Sequence, residues 1–201
     1  MGKTQRLLAA LALAAVCAVA AVAPAQARVD ATPGPWCGGT LWKLMTLSDK
    51  GRSTVKWTPA ATTVAEIAKL AAPARTPSTR STPFQKQVWQ LTTVIDRYRV
   101  ASNGEIVLVL FDTASSTYMD AYLANPKCLS SSSRGRAEML AARTAFAKCP
   151  APTAAWQQLG ATVQLAGVGF WNPSKSTKGA LPNGAELRPV TSLKLIAGCG
   201  V

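Results

Sequence analysis

Histidine is absent from this chain of 201 residues, and acids are scarce, with nine Asp and Glu against 22 Lys and Arg. Without histidine there is no Ser-His-Asp triad, no Cys-His pair and no imidazole-ligated metal. No Cys-x-x-Cys spacing occurs either, so no metal and no cofactor is expected. The carboxylates Asp30, Asp49, Glu66, Asp96, Glu105, Asp112, Asp120, Glu138 and Glu186 are scattered. No pair among them has a spacing that points to the acid and base of a glycosidase. Beyond the N-terminal segment no apolar run is long enough to span a bilayer.

What is present begins with that segment. Residues 1–27 carry Lys3 and Arg6, then an apolar run from Leu7 to Val22, and close on Ala25-Gln26-Ala27. A basic start, an apolar middle and a small-x-small end read as a secretory signal peptide. The expected product is a secreted or cell-envelope protein with no transmembrane span after cleavage. Removing Lys3 and Arg6 lowers the formal charge from +13 to +11, which suits an anionic partner.

Four cysteines remain after the signal: Cys37, Cys128, Cys149 and Cys199. An even number in an exported chain argues for two disulfides. Three pairings are possible. Cys128–Cys149, flanking one predicted helix, and Cys37–Cys199, joining the ends of the domain, are the favoured pair.

Residues 28–35 read as a mobile lead-in and 36–201 as a single domain. Its N-terminal layer, 36–70, contains an expected strand over Thr40–Leu47 and a short strand near Val55–Trp57. A short helix over Thr62–Leu70, capped by Thr62 or Thr63, completes it. Residues 71–83, rich in Pro, Ser and Thr, read as a linker loop. From Phe84 the pattern turns to strands: Gln87–Ser102, Glu105–Asp112 after the hairpin signal Asn103-Gly104, and Thr117–Ala124. A helix over Arg134–Lys148 follows, with Met139, Ala142 and Phe146 on its apolar face. Ala161–Trp171 and Glu186–Ala197 are the last strands, with Pro189 marking an edge or a bulge. The expected class is mainly β. The order β-β-β-α-β-β is that of the OB-fold, a five-stranded partly open barrel. A β-sandwich and an open α+β sheet are the alternatives.

Gly104–Asp112 (GEIVLVLFD) and Gly167–Val190 (GVGFWNPSKSTKGALPNGAELRPV) resemble an uncharacterised family of bacterial, often exported proteins. The family pattern is G-D-I-H-L-V-L-x-D, then G-V-G-F-F-D-x-x-H-G-x-x-G-x-A-P-N-x-I-E-L-H-P-V. Its three histidine positions fall here on Val107, Lys175 and Arg188, and its acidic positions on Glu105 and Asn172. The resemblance implies a fold, not a reaction. Any metal or proton chemistry those histidines perform in relatives is missing here, and Lys175 and Arg188 would serve instead as cations for an anion.

Tyr118 and Tyr122 share one face of the third barrel strand, where an OB-fold stacks bases or sugars. Trp171, Lys175, Lys178 and Arg188 lie in or beside the loop between the last two strands. Cations interleaved with aromatics are the general mark of a single-strand nucleic-acid surface. Asp96, Arg97, Arg99 and Asp112 form the best nuclease-like set, read here as solvated strand-edge charges. Arg134 and Arg136 stand near a helix N-terminus, where either an anion or plain hydration accounts for them.

The resulting expectation is an exported, disulfide-stapled, non-catalytic binding module. Its partner is a polyanion: nucleic acid, a cell-envelope polymer or an acidic protein. A secreted hydrolase whose carboxylates meet only in the fold, and an envelope interaction protein, are the alternatives. Convergence of Asp96, Asp112, Asp120 and Glu186 would favour the hydrolase, and a basic groove exposing Tyr118 and Tyr122 the binding module.

Overall fold

The computed structural model describes residues 37–39, 41–172 and 177–200. The signal segment, the lead-in, Trp36 and Lys175 lie outside the described residues. Eight of the fourteen residues of β2 (Gln87–Val100, QVWQLTTVIDRYRV) are β-branched or aromatic, a composition that favours extended chain. The strand is long enough to be shared: β1 (Lys56–Ala61) pairs with its first residues in parallel, and β3 (Ile106–Asp112) with its last in antiparallel. β4 (Thr117–Leu123) continues the meander. β5 (Gln157–Trp171) runs along the other edge of β2, and β6 (Ala185–Ala197) joins β5 to β4, the latter in parallel at Ala121 and Leu187. Hydrogen bonds therefore close a ring through β2, β3, β4, β6 and β5, a mainly β, partly open barrel with the strand order of the OB-fold. Pro189 sits where the β5–β6 register shifts around Gly167, so it marks a bulge.

Inward rows such as Ile95–Leu110–Met119 and Tyr98–Leu108–Ala121 fill the barrel. Asp96 is an extra residue, skipped in the pairings of β2 with both neighbours. This bulge leaves Asp96 and Arg97 together between the inward-facing Ile95 and Tyr98. One end of the barrel is closed by α3 (Arg136–Phe146), whose Phe146 meets Tyr98 edge-on at 5.2 Å. Met139 of the same helix packs instead in a second cluster with Leu47, Val55, Leu129 and Val168, outside the barrel.

Two expectations are corrected. Among the described residues of the expected strand over Thr40–Leu47 none is in a strand: Trp42–Met45 forms the short helix α1, and Leu44 and Leu47 are buried. The cysteines pair as Cys37–Cys128 and Cys149–Cys199. Cys128 and Cys149, which flank the 11-residue helix over Arg136–Phe146, are thus each bonded to a cysteine outside that stretch. Residues 71–83 carry no helix or strand, and they are tied down near their end by the buried Arg80. It donates to Asp49 Oδ1 at 3.0 Å and 3.2 Å, to the Leu44 carbonyl at 2.6 Å and to that of Gln85 at 3.2 Å. Burial lowers the Arg80 pKa, and the Asp49 carboxylate opposes that shift.

The helix α2 (Val64–Ala68) follows the sequence reading closely. Thr63 caps it, and Glu66 closes a capping box by accepting from the Thr63 N–H.

Candidate functional site

The outer face of β2, β3 and β4 carries three cross-strand rows: Arg99–Val107–Tyr122, Arg97–Val109–Asp120 and Val94–Phe111–Tyr118. This is the face that an OB-type barrel presents to ligands, together with the loop between its last two strands. Here the described part of that loop lies on the face. Thr177 donates to Asp120 Oδ2. Gly179 is pressed against the Asp120 carboxylate so closely that a β-carbon there would collide with it. The ammonium of Lys178 stands 5.2 Å from the ring centre of Tyr118 and 4.0 Å from Asp96 Oδ2.

Beneath that cover the chain buries a polar network. Arg188 donates to both oxygens of Glu105, through Nε at 3.1 Å and through a second, closer nitrogen, and to Glu186 Oε1 at 3.4 Å. Its guanidinium also lies 4.2 Å above the Tyr122 ring. Asn172 donates to Glu186 at 2.8 Å. Burial alone would lower the Arg188 pKa, but Glu105 and Glu186 outweigh it and the net shift is upward. Burial pushes Glu186 up to about 8 against the pull of Arg188, and Asp120 up to about 6 against its bond from Thr177 and the charges of Arg99 and Arg188. Tyr122 is raised for the same reason, burial first and the nearby Glu186 and Asp120 next. Asp120 Oδ1 is buried with no hydrogen-bond partner.

The predicted residues thus divide. Tyr118 and Lys178 come together on the surface, Lys178 with 48 % of its side chain exposed. Tyr122 and Arg188 are buried in the network beneath. Trp171 belongs to the core, 4.9 Å from Phe84, with its indole N–H donating to Thr82 Oγ1 at 2.9 Å. Lys175 lies outside the described residues. Asp120 and Glu186 feel one another electrostatically, and Asp96 meets the same loop through Lys178. Asp112 instead accepts from the Ala114 N–H in the β3–β4 turn. Arg134 binds no external anion with its Nη1: that atom donates to the carbonyls of Arg52, Ser53 and Val55, and the guanidinium packs 4.9 Å over Trp57.

Four surface residues, Phe111, Arg97, Arg99 and Trp156, join Tyr118 and Lys178 without having been singled out as ligand contacts. Phe111 packs against Tyr118 at 4.7 Å, Arg99 lies 4.8 Å over Trp156, and Arg97 pairs with Asp96 at 2.8 Å. Phe111 was accessible to counting, since it and Tyr118 are symmetric about the Thr113–Ser116 turn. Trp156, 38 % exposed, precedes β5 in an irregular stretch with no periodicity to place it. No family model and no curated protein matches this chain.

Proposed function

We propose that this protein is a non-catalytic, extracytoplasmic binding module for a polyanion, with its ligand lying across the outer face of β2–β4. Two disulfides fit an oxidising compartment, and no helix among the described residues is long and apolar enough to cross a membrane. One observation carries the choice of ligand. Along this face three cations are flanked by ring faces: Trp156, then Arg99, Arg97 and Lys178, then Tyr118 and Phe111. Three cations stand against one surface carboxylate, Asp96. Phosphates suit the cations and flat bases suit the rings, so single-stranded nucleic acid is the polyanion that uses both. Acidic proteins use the charge alone. The likeness to the exported bacterial family belongs to the same proposal.

The test titrates the oxidised protein into a fluorescent single-stranded oligonucleotide at low and at physiological ionic strength. Binding should weaken steeply with salt, with a slope that counts the phosphates contacted. Arg99→Gln combined with Lys178→Glu should weaken it about tenfold or more, at unchanged thermal stability. No binding at low salt, or binding untouched by the double substitution, overturns the reading. A second reading, a hydrolase, is favoured by the approach of Asp120 to Glu186 with both carboxyls held toward their protonated forms. A shortened strand recovered from the same titration would establish it.

A further inference from the structure

We propose that Asp120 is a proton-operated latch that sets the grip of this face on its ligand, tightening it as the medium becomes acidic. The inference rests on the polyanion reading and adds its regulation. The latch is a matter of geometry. Thr177 Oγ1 donates to Oδ2 of Asp120, Gly179 lies on the same carboxylate, and Lys178 between them is thereby held over Tyr118 at the surface. Oδ1 has no partner, so a proton placed there leaves the Thr177 bond intact and relieves the burial of a charge.

The groups facing Asp120 come from four directions. Arg99 stands on β2, Glu186 and Arg188 on β6, Tyr122 on its own strand and Thr177 on the loop. Arg97 and Asp96 flank it at the surface in the neighbouring register. Burial is the dominant influence and holds Asp120 at about 6 while the loop is docked. A raised value in the docked state means that docking takes up a proton, so the latch is strongest in acid and weakens as pH rises through about 6. Acid therefore acts twice in one direction. It secures the loop that presents Lys178, and it removes a negative charge from beneath the path of the phosphates.

The chain has no histidine, so the interval between about pH 5 and about pH 7 is otherwise nearly silent. Burial raises Glu186 further, to about 8. The experiment measures anisotropy of a fluorescent oligothymidine lacking terminal phosphates, at fixed ionic strength across that interval. Wild type should bind about fivefold tighter at the acid end, the worth of one unit charge a few Å from a phosphate in water. Asp120→Asn should bind with the acid-end affinity throughout. Thr177→Val, which cannot hold the loop, should bind with the neutral-end affinity or weaker. A flat wild-type profile, or a pH effect that survives in Asp120→Asn, overturns the latch while leaving polyanion binding standing. No binding at any pH overturns both.

Discussion

Arg188 offers the sharpest test of how this site is built. Were it an anion-binding residue, its removal would weaken binding and leave stability alone. The structure makes the opposite demand. The Arg188 side chain is 9 % exposed and that of Glu105 2 %, and the guanidinium engages both oxygens of the carboxylate. Deleting one partner of a buried pair leaves the other as an uncompensated charge, at a cost of about 3–5 kcal/mol. Arg188→Met keeps the volume and removes the charge, so its urea midpoint should fall by about 2 M with the disulfides intact. The deficit should shrink in acid, where an uncompensated buried carboxylate takes up a proton. Glu105→Gln added to Arg188→Met should recover most of the loss, because replacing a whole buried pair with neutral groups is often close to neutral. Equilibrium unfolding followed by tryptophan fluorescence reads all three proteins. An Arg188→Met protein with the wild-type midpoint and defective oligonucleotide binding would refute the argument and return Arg188 to the ligand surface.

Two further outcomes follow from the same network and from the disulfides. Asp120 and Glu186 are both held above their ordinary values, at about 6 and about 8. Their contribution to stability is thus fully present below about pH 4 and is lost as pH rises through those two values in turn. The melting temperature should decline from weakly acid to alkaline pH, and Glu186→Gln should flatten the alkaline part of that decline. Replacing Cys149 and Cys199 together by serine opens a link across 50 residues and should lower stability by about 4 kcal/mol in the chain-entropy model. A change below about 1 kcal/mol in chemical unfolding would show that the unfolded chain is not freed by that link.

The barrel was legible because its strands obey local rules. Asn103-Gly104 joins β2 to β3, the all-apolar run Ile106–Leu110 is buried on both faces, and Met119, Ala121 and Leu123 alternate inward. The helix face Met139, Ala142, Phe146 was readable for the same reason. The N-terminal layer was not. Trp42–Met45 (WKLM) holds three good helix formers, but four residues are too few to show a helical period, and a single turn there accompanies the burial of Leu44 and Leu47. Cysteine pairing likewise depends on where α3 delivers its ends, which no spacing reports.

The site was less legible because charge compensation is a long-range property. Arg188 and Glu105 are 83 residues apart, Thr177 and Asp120 57, and Arg80 and Asp49 31. In the sequence each is a lone charge or hydroxyl in a loop or strand, free to meet solvent or a ligand. Only the closure of β6 against β4 and β5 brings Arg188 down onto Glu105. Once it does, a cation expected to meet a ligand becomes part of the support beneath one. Tyr118 and Tyr122 make the same point on a single strand. They are four residues apart on one face, yet Arg188 covers the Tyr122 ring, leaving Tyr118 half-buried and Tyr122 buried. Alternation assigns a side chain to a face, and only the fold determines whether that face meets solvent. What distinguishes the surface residues here is therefore not their type but their counter-charges. Arg188 and Arg80 have carboxylates at hydrogen-bond distance in the interior, whereas Arg99 lies over the ring of Trp156 at the surface. A cation whose neighbour is an exposed ring face rather than a buried carboxylate keeps its charge available to a ligand.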